Sequence, residues 1–210
     1  GINRMMAGQM EIGPTQEINW STGTDSVGRD PASRPPNIVL ILADDLGWND
    51  ISMNGPNPTV QTPNIDALAR DGLNFTQAYS PSPTCSPSRA ALLTGKHPAR
   101  LRMVRHIPNT AEYGFDERGR PDGAFHIWKT DPAQFPSANW LGLEHTTYAE
   151  ALKHLGYYNL FLGKWHLGYD AYYPVQQGFD RQIGIANVGH PKSYFPPYFG
   201  NSSCYGVGED

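Results

Sequence analysis

No apolar run in this chain approaches the roughly 18–20 residues needed to span a bilayer. No block of lysine or arginine stands out either. With 16 basic against 20 acidic residues the net charge is −4, so neither a nucleic acid nor an acidic membrane surface is an expected partner. The N-terminus lacks the apolar core of a signal peptide, so a leader was either removed before this numbering or never present. No internal repeat is visible. Cysteine is scarce: Cys85 and Cys204 are the only two. They are too few for a disulfide framework, though one bridge between them is possible, and the compartment stays open.

What is present suits a globular α/β domain. Hydrophobic residues make up 39% of the 210 positions, enough for a real core. Residues 1–36 are rich in Gly, Ser, Thr, Asn and Pro and read as a tail or surface arm, which leaves 37–210 as the folded part. "NIVLIL" (37–42) predicts a strand buried on both faces of a parallel sheet. "TPNIDALARDG" (62–72) predicts a helix with Thr62 as cap, Pro63 first and Gly72 last, its Ile65, Leu68 and Ala69 facing inward. "LNFTQAY" (73–79) reads as the next strand. "SPSRAALLTG" (86–95) predicts a helix capped by Ser86, with Pro87 first and Gly95 closing it. "TTYAEALKHLG" (146–156) carries a capping box in Thr147 and Glu150 and a stop at Gly156, and "YYNLFLG" (157–163) follows as a strand. Strands alternating with helices predict a mostly parallel central sheet flanked by helices. Residues 104–142, with Tyr113, Phe115, Phe125, Trp128, Phe135 and Trp140, break the rhythm and read as an insertion over the sheet edge.

Three clusters sit at the ends of these elements. In "ADDLGWND" (43–50), Asp44 and Asp45 fall where the first strand ends, the edge at which open α/β sheets bind ligands. Adjacent carboxylates repel, a problem relieved if both converge on a divalent cation, and their hard oxygens suit Ca²⁺ or Mg²⁺ better than zinc. A solvated turn is the plainer reading, and Asp50 is given only a turn or outer-sphere role. Cys85 precedes a helix start, where unpaired N–H groups favour an anion and a reactive thiol. Arg89 lies one turn on and can reach back. A cysteine-dependent phosphatase needs C-x5-R, but that position is Ala91. In "GKWHLG" (163–168), an extended backbone would put Lys164 and His166 on one face, suited to binding an anion and moving a proton. The plainer reading is a solvated lysine and a structural histidine. His97, His106, His126, His145, His154 and His190 show no ligand spacing and read as surface or core residues.

Taken together, these residues resemble a known family. "CSPSRAALLTG" fits the sulfatase signature C-x-P-S-R-x4-T-G, and "PNIVLILADDLGWND" and "GYYNLFLGKWHLG" resemble the flanking blocks of type I sulfatases in the same order. The resemblance runs from about Pro36 to Gly189. It implies the alkaline-phosphatase-like fold and hydrolysis of sulfate esters. In that family the cysteine is oxidised to formylglycine by a formylglycine-generating enzyme that reads the proline and arginine of the signature, here Cys85, Pro87 and Arg89. The hydrated aldehyde attacks sulfur with one hydroxyl and expels sulfate through the other, which a plain serine or cysteine could not do. By the same resemblance Asp44, Asp45 and residue 85 are metal ligands, usually for Ca²⁺ with Mg²⁺ also possible. Arg89 holds the diol, and Lys164 and His166 bind sulfate or residue 85. Lys96 is assigned no catalytic role.

The family also carries metal ligands and a lysine and histidine late in the chain, and His190 and Lys192 fall too early to be those residues. Three ligands are short of the roughly six to eight that Ca²⁺ takes, so this chain is expected to be the N-terminal part of a longer enzyme. Two other readings stay open: a phosphodiester or phosphonate monoester hydrolase of the same superfamily, and a catalytically incomplete fragment. The aromatics of 113–140 and "SYFPPYF" (193–199) could stack on a sulfated carbohydrate, although local packing is the commoner role of such side chains. A periplasmic, secreted or lysosomal location is expected from the family, with sequons at Asn19, Asn74 and Asn201 weakly in keeping.

Overall fold

The computed structural model describes residues 35–55, 60–108, 110–116 and 120–186. The chain divides into two units, Gly1–Ala43 and Asp44–Asp210. The expected tail of 1–36, except its last two residues, lies outside the described residues, as do Cys204, His190, Lys192 and "SYFPPYF". In the first unit, residues 37–42 do not form the expected buried strand. They are extended without a ladder partner among the described residues, and Val39 and Ile41 are 82% and 81% exposed. Apolar, β-branched character suits a strand, but only a neighbour's hydrogen bonds make one.

Among its described residues the second unit holds three α-helices: α1 (Pro63–Asp71), α2 (Cys85–Thr94) and α3 (Tyr148–His154). Helix α1 has the expected bounds, but its predicted inward face is open, with Ile65 and Leu68 both exposed. Polar bonds anchor it instead. Ser52 and Thr62 hydroxyls donate to the Asp66 carboxylate at 2.6 and 3.0 Å. Residues 73–79 form no strand and are exposed, so that expectation also fails. Helix α2 starts at Cys85 with Thr84 as cap, ahead of the predicted Ser86, and Gly95 closes it in the left-handed region at φ 65°. Helix α3 has the predicted capping box between Thr147 and Glu150, and Gly156 ends its turn at φ 85°.

Two small sheets are formed among the described residues. Strands β1 (Phe125–His126) and β2 (Ser137–Ala138) pair antiparallel, and β3 (Leu160–Lys164) and β4 (Arg181–Ala186) pair parallel. Strand β3 breaks register between Leu162 and Lys164, where Gly163 takes φ 89°. A bulge of this kind re-aims the following side chain. The core gathers Ala90 and Leu93 of α2, Ala149 of α3, Trp165, Leu167 and Phe179. It also takes Leu101, Met103, Ile107, Phe115 and Leu141 from the middle of the chain. The stretch 104–142 is therefore not merely laid over a sheet edge: it supplies part of the core. No helix among the described residues is long and apolar enough to cross a membrane.

Candidate functional site

Three separate stretches of the second unit meet at Asp44. The aspartate sits in a tight turn with Asp45, whose φ of 59° lies in the left-handed region that Asp tolerates better than most residues. Its Oδ1 accepts from Lys164 Nζ at 2.9 Å, and its Oδ2 accepts from Arg89 Nη2 at 2.9 Å and Nε at 3.3 Å. The Cys85 thiol, 3.8 Å from Oδ1, adds a weaker contact. Partial burial pushes the Asp44 carboxyl up, but Lys164 and Arg89 outweigh it and hold the pKa below its ordinary value. Arg89 also donates from Nη1 to the Lys164 carbonyl, so one guanidinium ties α2 both to the acidic turn and to the end of β3. Arg89 thus meets the Asp44 carboxylate that the Cys85 thiol also approaches.

His166 arrives differently from the expected alternation. The backbone does not stay extended past Lys164, because His166 itself takes φ 57°. Trp165 is fully buried and packs edge-on against Phe161 and Phe179, while His166 is 2% exposed. Its Nε2 lies 2.8 Å from the Ile107 carbonyl. A carbonyl only accepts, so Nε2 carries the proton. Burial, partly offset by that bond and reinforced by Lys164, His106 and Arg89, lowers its pKa to about 4. The ring is therefore neutral at pH 7 and Nδ1 bears a bare lone pair, buried and without a partner among the described residues. Residue Ile107 is gripped at both ends, since its N–H donates to Ser86 Oγ at 3.0 Å.

One carboxylate oxygen each from Asp44 and Asp45 and the Cys85 sulfur lie within 4.8 Å of one another, a grouping that could hold a metal ion. The two carboxylates are hard donors and the thiol a soft one. The donor set therefore becomes uniform for a hard cation only when residue 85 presents oxygen. Asp50 keeps to a turn role, its Oδ2 accepting from the Gly47 N–H at 2.8 Å. Ala91 is buried, so nothing cationic stands at the phosphatase position. Cys85 is a free thiol. Of the remaining histidines, His97 caps a 3₁₀ turn and His126 is buried against Asn139 at 2.6 Å. His145 lies 3.3 Å from Lys96. His106 was not distinguishable by spacing, yet its ring centroid lies 6.1 Å from that of His166. Only the fold brings them together.

The sulfatase family model matches residues 36–205. The N-acetylgalactosamine-6-sulfatase of Mus musculus is 38% identical over 170 residues, 80% of this chain and 28% of its own length. Arylsulfatase A of Homo sapiens is 42% identical over 156 residues, 73% of this chain and 26% of its own. Among solved structures, Ps i-CgsB superposes with a TM-score of 0.59 at 33% identity, covering 78% of this chain and 30% of that one. The same protein is also known in complex with k-i-k-neocarrahexaose, with a TM-score of 0.55. The chain thus spans under a third of each of these relatives, and its fold is theirs, of the alkaline-phosphatase-like α/β class. On the matched length, the signature around Cys85 and the shared fold, this chain belongs to the sulfatase family.

Proposed function

We propose that the protein containing this chain hydrolyses sulfate esters, with residue 85 as nucleophile after conversion of Cys85 to formylglycine. The observation that carries this reading is the convergence on Asp44 of Cys85 and Arg89 from α2 and of Lys164 from the end of β3. Conversion replaces a thiol by an aldehyde whose hydrate offers two hydroxyls, one to attack and one to release the product. Asp44, Asp45 and residue 85 would hold a divalent cation, Ca²⁺ by donor hardness with Mg²⁺ as the alternative, and it would supply Lewis-acid polarisation. Lys164 and Arg89 bring two positive charges to the spot where a sulfate would bind. Arg89 would orient residue 85 through Asp44, and the bare Nδ1 of neutral His166 is a lone pair able to accept a proton. The substrate class we favour is a sulfated carbohydrate, supported by the hexasaccharide bound in a structural relative. A secreted, periplasmic or lysosomal setting, and maturation by a formylglycine-generating enzyme, belong to the same proposal.

Co-expression with that enzyme, followed by peptide mass spectrometry, should show residue 85 as an aldehyde. The matured protein should cleave an aryl sulfate with a kcat/KM well above that for an aryl phosphate diester. An intact thiol together with no sulfate release would overturn the reading, and a preference for the diester would move the protein to the phosphoesterase branch.

A further inference from the structure

Three rings of the 104–142 stretch stand in a row that ends at the site. Tyr113 lies against Trp128 and Trp128 against His106, with centroids 4.6 Å apart in both pairs, and His106 faces His166 at 6.1 Å. His106 is half-buried, and neither of its ring nitrogens has a hydrogen-bond partner among the described residues. Burial, with the charges of Lys164 and Arg105, lowers its pKa below the ordinary value, so it carries one N–H and one lone pair at neutral pH. The Trp128 indole N–H is buried without a partner among the described residues, and leaving it unmatched is costly. The His106 ring beside it is only half-buried, so its nitrogens are accessible to a polar group that enters.

Which half of a sulfate ester this imidazole would meet follows from complementarity. Sulfate oxygens only accept, and on the sulfatase reading the cationic Lys164 and Arg89 belong to that half. A neutral imidazole both donates and accepts, as a hydroxyl does. We propose, building on the sulfatase reading, that His106 is a substrate-contacting residue that hydrogen-bonds a hydroxyl on the alcohol half of the ester, with Trp128 as the positioning residue that holds its ring. The stretch 104–142 then selects the alcohol while the signature residues handle the sulfate. A site built to bond a hydroxyl discriminates strongly against an alcohol that lacks one.

The test compares two esters on the intact, matured enzyme: a hexose monosulfate with a hydroxyl beside the ester, and an aryl sulfate with none. His106→Phe keeps a ring in the stack and deletes both nitrogens. It should lower the ratio of kcat/KM, hexose over aryl, by about tenfold or more, the worth of one well-placed hydrogen bond. His106→Gln, which restores a donor and an acceptor, should recover part of that ratio. Trp128→Leu should raise KM for the hexose ester more than it lowers kcat. A ratio unchanged in His106→Phe overturns the proposal, as does a wild type that cleaves aryl sulfates but no hydroxyl-bearing sulfate. A wild type that cleaves neither ester overturns the sulfatase reading itself, and this proposal with it.

Discussion

Arg89 makes three bonds from one planar group, two to Asp44 and one to the Lys164 carbonyl. Lysine has a single charged tip and cannot span them. Arg89→Lys is therefore expected to lower kcat/KM on an aryl sulfate by at least about tenfold despite keeping the charge, which steady-state assays of the matured enzyme would show. His166 makes a different prediction, about pH. Its pKa of about 4 in the folded protein lies below the ordinary 6.5. Above 6.5 neither the folded nor the unfolded form binds the proton, and no penalty exists. Between 6.5 and 4 the unfolded chain takes up a proton that the folded chain refuses, so stability must fall as pH falls, by about 3 kcal/mol for this residue alone. Burial lowers the pKa of His106, His126 and His145 as well, and these act in the same direction. Thermal midpoints measured from pH 7 down to pH 4 should drop steadily, and a flat profile would refute the neutral, buried His166.

Among the elements, α2, the segment that follows it and the end of β3 meet at Ile107. Ser86 takes its N–H, and its carbonyl takes the His166 ring. Ser86→Ala would strand a buried N–H at a cost of about 1–3 kcal/mol, and it loosens the very residue that orients His166. A urea melt should show the loss of stability, and kcat should fall with it. What was legible beforehand follows the reach of each signal. The α3 capping box and the Gly95 stop depend on residues within one turn, so sequence spacing located them. The strands expected at 37–42 and 73–79 depend on partners far along the chain, and an apolar run carries no information about those. Lys164 and His166 were recognised as a pair, but alternation gave the wrong reason. The bulge at Gly163 and the left-handed turn at His166 place them. His106 escaped notice because its neighbours Trp128 and His166 are 22 and 60 positions away.

At the scale of the whole molecule, two residues of the family signature are also well hidden. Pro87 is fully buried, and the Arg89 side chain is only 11% exposed. Under the proposed conversion, an enzyme reading Cys85 together with Pro87 and Arg89 would need access to side chains that α2 packs away once it forms. An unfolded peptide spanning residues 80–95 should thus be converted readily, whereas the folded, unconverted protein should resist conversion over the same hours, as mass spectrometry of residue 85 would reveal. If Cys85 is converted as proposed, formation of α2 would work as a deadline. A chain that folded first would keep its thiol packed beside Asp44 and would have to open before it could be converted. The yield of matured protein would then be set by a race between two rates, not by the stability of the finished fold.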